Sequence, residues 1–406
     1  MKILFLTDNF PPEVNAPASR TFDHCREWVK NGDEVTVITC APNFPQGKVY
    51  DGYKNKWHQE EIIEGIRVIR VWSYIVANKG FIKRTLDFIS FSITSFLAGL
   101  FVKADIIIAT SPQFFTALSG RTLKFWKRIP WIMEVRDLWP ESIKTVGAMN
   151  NGLFIKYFEW QEKRCYKSAK HIVVVTDSFK QRLIERGIPK SKISVIKNGV
   201  DRNLFIPSQT KDQEIEKTLG ITEKKVIGYI GTHGMAHKLD FILNCAEILQ
   251  TTKPEYHFLF IGNGAEKDRL TQICKTKKLT NVTMLDSVPK KEVKRYISVL
   301  DICLINLRKS ELFTTVIPSK IFENAAMEVP ILMGVEGEAK EIVKKYNAGL
   351  CFEPENQNDF IKKLSEISKA ETRNKLIIGC RKLAEDFDRK KLALNMQNII
   401  HKIANI

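Results

Sequence analysis

Lys225-Val226-Ile227-Gly228-Tyr229-Ile230-Gly231-Thr232-His233-Gly234 is the stretch that decides the fold. Its first six residues are a short, mostly apolar run; the run stops at a glycine and an amphipathic helical stretch follows, which is the opening of a βαβ unit. Where it occurs matters more than that it occurs. A series of the same kind already fills the first half, with strands expected at 3–6, 34–39, 66–72, 106–110, 131–135 and 172–176. After Asn198-Gly199-Val200-Asp201 and an irregular polar stretch the series starts again, with strands expected at 225–230, 257–261, 282–285, 302–305, 330–333 and 349–352. Two series mean two parallel sheets, and the expected class is α/β with two Rossmann-like domains, at 1–205 and 206–385. The helix after Gly231 should turn its positive N-terminus toward a ligand. The end of the chain, with Leu392, Ile399, Ile400 and Ile403 apolar, reads as a last amphipathic helix.

A chain of 406 residues exceeds one ordinary core, which agrees with two domains. Its net charge of +17 favours an anionic partner: nucleic acid, anionic lipid or a phosphorylated ligand. The basic residues are spread along the chain rather than gathered in an arm, and neither a reading helix nor an aromatic-bearing basic surface is visible, so a nucleic-acid binder is disfavoured. The eight cysteines include no C-x-x-C pair and sit mostly in apolar runs, as small core residues of a reducing compartment do. The opening Met1 to Asp8 has too short an apolar run for a signal peptide, and a cytoplasmic protein is expected. Residues 88–102 are apolar but shorter than the roughly 20 residues that span a bilayer. Two readings stay open for them: a core helix, or a helix lying in a membrane interface with Phe88, Phe91 and Phe96 exposed and Lys79, Lys83, Arg84 and Lys103 as basic neighbours.

The strings Val195 to Asp201, Gly228-Tyr229-Ile230-Gly231, Leu259-Phe260-Ile261-Gly262-Asn263-Gly264 and Pro318-Ser319-Lys320-Ile321-Phe322-Glu323 occur in an order that resembles the bacterial retaining glycosyltransferases of family 4. The resemblance covers essentially the whole chain. Asn9-Phe10-Pro11-Pro12-Glu13, Pro42 to Lys48 and Arg136-Asp137-Leu138-Trp139-Pro140-Glu141 resemble a narrower branch found in O-antigen and capsule clusters, which includes transferases of N-acetylfucosamine. The resemblance implies a GT-B fold, two Rossmann-like domains facing a cleft, with a closing helix at about 386–406 packed back onto the first.

It also implies site residues. Glu323 would accept both ribose hydroxyls of a nucleotide, a task that suits one carboxylate. Ser319 and Lys320 would contact the diphosphate at a helix start. Gly231, Thr232, His233 and Gly234, with Gly262, Ser287 and Val288, would complete the nucleotide-sugar site, and Asn15 and Ala16 would let backbone approach it from the first domain. The family's first glutamate, eight positions before Glu323, is Thr315 here; a 6-deoxy sugar lacks one hydroxyl and asks less of such a carboxylate. The family's arginine and lysine after the glycine are not in register: Thr232 and His237 stand there, and Lys238 is the nearest cation for the leaving diphosphate. Arg136 and Asp137 follow a strand and are candidates for holding sugar or acceptor, against an ion network of Arg136, Asp137 and Glu141. No Asp-x-Asp motif follows a strand, and no metal or other cofactor is expected.

The resemblance therefore implies transfer of a sugar, such as the N-acetylated 6-deoxyhexose L-FucNAc, with retention, from a nucleoside diphosphate such as UDP. The acceptor implied is a polyprenyl-diphosphate-linked saccharide of O-antigen or capsule synthesis, reached by a protein peripheral on the inner face of the plasma membrane. A nucleotide-sugar 2-epimerase on the same architecture is the alternative.

Overall fold

The structure is a computed structural model that describes residues 1–44, 46–76, 81–111, 114–139 and 152–405. Lys79 and Glu141 lie outside the described residues. The chain divides into two units: residues 1–198 with 389–406, and residues 199–388. The boundary falls a few residues before the one read from the sequence. Val200 donates its N–H to the Phe387 carbonyl and bridges to Asp388, so the chain from Gly199 onward joins the second unit.

The first unit contains β1 (Lys2–Leu6), α1 (Ala16–Lys30), β2 (Glu34–Cys40), β3 (His58–Ile63), β4 (Ile66–Val71), α2 (Phe81–Leu100), β5 (Ile106–Thr110), α3 (Phe114–Lys127), β6 (Trp131–Val135), α4 (Gly152–Ser168), β7 (His171–Val174), α5 (Asp177–Glu185) and β8 (Ile193–Val195). Its strands form one sheet in the order β3-β4-β2-β1-β5-β6-β7-β8, parallel except for β3. Along β1, Leu4 and Leu6 enter one core layer while Ile3 and Phe5 enter the other, the period-two pattern of a strand covered on both faces. The sequence reading missed β3 because His58-Gln59-Glu60-Glu61 has no apolar run. It is an antiparallel edge strand whose Glu60 pairs with Arg67 of β4 at 2.7 Å, and charge on an edge discourages pairing with other chains.

The second unit contains α6 (Gln213–Leu219), β9 (Lys225–Ile230), α7 (Leu239–Thr252), β10 (Tyr256–Ile261), α8 (Lys267–Thr276), β11 (Val282–Leu285), α9 (Lys290–Ser298), β12 (Ile302–Asn306), α10 (Lys320–Ala326), β13 (Ile331–Gly334), α11 (Glu338–Tyr346), β14 (Gly349–Cys351), α12 (Gln357–Ile367) and α13 (Ala370–Asp386). Its sheet is parallel throughout, in the order β11-β10-β9-β12-β13-β14. The last helix, α14 (Arg389–Ala404), belongs to the first unit and lies against α1. The Trp28 indole donates to the Ala393 carbonyl at 2.8 Å, and Asp33 accepts from Gln397 at 2.6 Å.

Helix α2 resolves the two readings of 88–102 in a way neither anticipated. Phe91 is core, at 1% exposure, and Phe88 and Phe96 are partly buried against the same cluster, so the expectation that these three are exposed is corrected. The helix is apolar on more than one face, and the exposed stripe is a different one. Leu86, Ile89, Ile93 and Leu97 follow each other at spacings of three and four, and Phe101 just past the helix end is 88% exposed. Phe125 and Trp126 on α3 are also exposed, and Trp126 meets Phe96 edge-on at 6.5 Å. Among the described residues, no helix is long and apolar enough to cross a membrane.

Candidate functional site

In the second unit, β10 follows β9 on one side while β12 lies on the other, so the strand order reverses between β9 and β12. Ligands of open α/β sheets bind outside the carboxyl ends of the strands at such a point. The loop after β9 and helix α10 after β12 both start there. Gly231 and Gly262 have φ of +144° and +146°, and a Cβ on Gly262 would stand 1.9 Å from the Gly231 carbonyl oxygen. Only glycine permits this contact between two strand ends. A Cβ on Gly231 would stand 2.5 Å from Lys320 Cε, so the Lys320 side chain lies directly across the end of β9. Its Nζ sits 3.6 Å from the centroid of the Tyr229 ring. Burial pushes the Lys320 amine down to about 7, against the smaller opposing pull of Cys303 and Glu323.

Glu323 is half-buried one turn further along α10, on the same face as Lys320. Ile321 and Phe322, both fully buried, anchor the helix, with Phe322 stacked on Phe387 at 4.7 Å. Ser319 occupies the N-cap position without making a side-chain capping bond. An amine suited to phosphate and a carboxylate suited to hydroxyl pairs are thus presented side by side at the switch point.

The residues that follow Gly231 surround the end of β9, where Lys320 acts electrostatically on His233 and His237. His233, expected in the nucleotide-sugar site, keeps both ring nitrogens buried without a hydrogen-bond partner. Its ring is fully buried near Tyr229 and Phe260, burial holds it neutral with a pKa of about 4, and its backbone N–H and carbonyl are bonded to Asn263 and Glu266. Lys238 has left-handed backbone at φ 46° and places its Nζ 3.5 Å from Asp240. It lines a cavity of about 190 Å³ together with Gly234, Arg269 and Arg308, and Lys320 is not among the walls. Thr232 accepts the Tyr229 hydroxyl on its carbonyl at 2.7 Å. Ser287 is exposed, 3.0 Å from the Asn263 amide, while Val288 packs partly against the core.

Lys267 was missed. Its amine donates to the Gly262 carbonyl at 3.1 Å and to the Leu285 carbonyl, tying the ends of β10 and β11 together. A lysine in the first turn of α8 opposes the helix dipole, and that misfit was the available signal.

The first unit reverses strand order between β1 and β5. Asn15 caps α1, accepting from the Ala18 N–H at 2.8 Å and donating to Asn9 at 2.5 Å, so its side chain is occupied locally; Ala16 is exposed at the helix start. The Arg136 N–H donates to the Ser111 hydroxyl at 2.7 Å, the Asp137 N–H approaches the same oxygen at 3.3 Å, and the Arg136 guanidinium reaches the Pro17 carbonyl at 3.3 Å. Burial lowers the Arg136 pKa to about 10, opposed by Glu134. The buried ion pair here is Arg20 with Glu134 at 3.0 Å, and Arg20 also donates to the Ile196 and Lys197 carbonyls at 2.8 Å. Glu134 lies inside β6, where a strand reading does not look for a carboxylate. Among the described residues, no group of three or more His, Cys, Asp or Glu stands close enough to hold a metal ion.

Comparison with known proteins adds the following. Residues 18–204 match the family Glycosyltransferase Family 4, and residues 210–383 match the family Glycosyl transferases group 1. A protein of Escherichia coli (strain K12) described as a colanic acid biosynthesis glycosyl transferase, WcaI, is 23% identical over 88% of this chain and 89% of its own. The sucrose-phosphate synthase of Thermosynechococcus elongatus superposes with a TM-score of 0.75 at 14% identity, covering 99% of this chain and 98% of that one. Anabaena HepE, solved in complex with UDP, superposes with a TM-score of 0.71 at 14% identity, over 99% and 100% of the two chains. The architecture is GT-B.

Proposed function

The chain is a glycosyltransferase, its first part belonging to Glycosyltransferase Family 4 and its second to Glycosyl transferases group 1, and from that premise we propose that it transfers a sugar from a nucleoside diphosphate during synthesis of a bacterial surface polysaccharide. The observation that carries the reading is Lys320 lying across Gly231 with Glu323 one turn on, at the switch point of the second sheet. Glu323 accepts the ribose hydroxyls, Lys320 and Ser319 meet the diphosphate, and the lysine charge offsets the charge that develops on the leaving group. UDP is the proposed nucleotide, in keeping with the UDP held by HepE. Thr315, in place of a family glutamate, favours a 6-deoxy donor such as an N-acetylfucosamine, and transfer retains the anomeric configuration. Arg136 and Asp137 serve the sugar or acceptor, and Lys238 adds positive charge beside the β9 loop. No metal is assigned a role.

The acceptor is a polyprenyl-diphosphate-linked saccharide, in keeping with the colanic acid assignment of WcaI, and the protein reaches it from the inner membrane surface. The exposed stripe Leu86, Ile89, Ile93, Leu97 and Phe101, with Trp126, is the proposed contact with lipid. Lys103 and Arg128, both exposed, stand near it to meet anionic headgroups. The family matches favour transfer over 2-epimerisation. Glu323→Ala tests the reading: UDP affinity should fall by about 3 kcal/mol, the worth of two charge-assisted bonds, with an unchanged circular dichroism spectrum. Unchanged affinity removes Glu323 from the site.

A further inference from the structure

The Lys320 side chain passes from one face of the second sheet to the other. Ile321 and Phe322 fix α10 in the core layer on one face, whereas Tyr229 belongs to the layer on the opposite face. The lysine bridges the two over the end of β9, where Gly231 leaves the path open: a Cβ there would stand 2.5 Å from Cε and 2.7 Å from Nζ. The amine ends 3.6 Å from the centroid of the Tyr229 ring, and among the described residues it makes no hydrogen bond or ion pair. A buried ammonium without an acceptor is costly, and the ring face is what offsets that cost here.

Tyr229 is itself locked in place. It is 1% exposed, its hydroxyl donates to the Thr232 carbonyl at 2.7 Å, and the His237 and Phe260 rings stand 5.6 and 6.2 Å from its own. The hydroxyl bond ties the ring to the residue after Gly231, so one side chain sets both the resting place of the lysine and the start of the loop. A phenol that donates its proton places more electron density on its ring, which strengthens the face toward the amine. A fixed ring on one side of the ammonium leaves donors on the other side for a ligand, at no cost of reorganisation. The groups that face the amine are Glu323 from its own helix, Cys303 from β12, and His233 and His237 from the loop after β9. Burial holds the two histidines at about 4, pushes Cys303 up to about 12 and raises the Tyr229 hydroxyl above its ordinary value, so none of these four titrates between pH 5 and 8.

We propose that Tyr229 is a positioning residue for the transfer: its ring face holds the Lys320 amine at the end of β9 both before and after the diphosphate docks on the amine's open side. The proposal rests on the assignment of Lys320 to the diphosphate above. Calorimetry of UDP binding compares the full chain with Tyr229→Leu, which removes the ring. Without the ring the free amine, which has a pKa of about 7, should lose its proton about one pH unit lower. UDP affinity should then weaken about ninefold at pH 8 and stay the same at pH 5, where the lysine is charged in both proteins. Proton uptake on binding at pH 7 should rise from about 0.5 to about 0.9. Glu323 is common to both proteins and cancels from the comparison, and a merely structural loss would be equal at the two pH values. Tyr229→Phe, which keeps the ring face, should stay within about threefold of wild type at pH 8. In a Lys320→Arg background, where the charge is permanent, Tyr229→Leu should carry no pH-dependent penalty. NMR of the wild-type chain carrying carbon-13-labelled lysine gives a reading independent of how Tyr229→Leu folds. The Lys320 Cε protons, assigned by their absence from Lys320→Arg, should stand upfield of the other lysines through the ring current and remain there when UDP is added. A penalty equal at pH 5 and pH 8, or Lys320 protons at the ordinary lysine position, overturns the proposal while leaving UDP binding intact. No UDP binding by the wild type would instead overturn the nucleotide-sugar reading on which it depends.

Discussion

Lys320 should take up a proton when nucleotide binds. Its amine lies 3.6 Å from the Tyr229 ring centroid, and burial lowers its pKa to about 7. A diphosphate docked beside it favours the charged form and raises that value. At pH 8 the free protein carries the lysine about 0.9 neutral, from a pKa of about 7. The terminal phosphate of UDP, with a pKa near 6, is already ionised there, and His233 and His237, with pKa values of about 4, do not titrate. Binding at pH 8 should therefore consume about 0.9 proton, and the dissociation constant should rise about fivefold from pH 7 to pH 8 as protonation becomes costlier. Titration calorimetry in two buffers of different ionisation enthalpy reads the proton count directly. Lys320→Arg, which remains charged at every accessible pH, should show no uptake. Uptake absent from the wild type, or undiminished in Lys320→Arg, would refute the assignment of Lys320 to the diphosphate.

Glu13→Gln should stabilise the first unit at alkaline pH. The Glu13 carboxyl is raised by burial from 4.5 to about 7, so the stability it contributes is present below the unfolded value and lost as pH rises through 7. The variant should gain about 3 kcal/mol over wild type at pH 8 and only about 1 kcal/mol at pH 5 in urea unfolding, and an equal gain at both would contradict the burial argument. Replacing Ile93 and Leu97 by serine should remove about 2–4 kcal/mol of salt-resistant binding to anionic vesicles without unfolding, whereas Phe91→Ser should cost stability on the order of 3–5 kcal/mol; the reverse pattern in flotation and melting assays would place the lipid contact elsewhere. Arg20→Ala leaves the buried Glu134 unpaired and should destabilise by about 3–5 kcal/mol, read as a lowered urea midpoint at pH 7; a loss near zero would mean water reaches Glu134.

Repetition made the fold legible. Strands buried on both faces are apolar runs, so β1, β2, β5, β6 and all six strands of the second sheet stood out, and the restart at Lys225 separated the two series. Strand β3 was invisible because an edge strand carries charge, and β8 because Ile193-Ser194-Val195 offers only two apolar residues, split by a serine and preceded by Lys190 and Lys192. The inward face of α2 was unreadable because its apolar residues surround the helix, so sequence could not distinguish Phe91 from Ile93. At the site, Gly231, Lys320 and Glu323 sit in strings with their own signature. The Arg20–Glu134 pair is brought together only by the crossing of distant elements.

The central claim is sugar transfer from a nucleoside diphosphate to a lipid-linked saccharide. Full-length protein should be incubated with UDP-linked deoxy and N-acetylated sugars and a polyprenyl-diphosphate-linked disaccharide, and the lipid fraction weighed by mass spectrometry. The expected result is a product heavier by one sugar residue, formed only with acceptor present, lost in Glu323→Ala, and shown by NMR to keep the donor's anomeric configuration. An unextended lipid together with an acceptor-independent free sugar or epimerised product would contradict it.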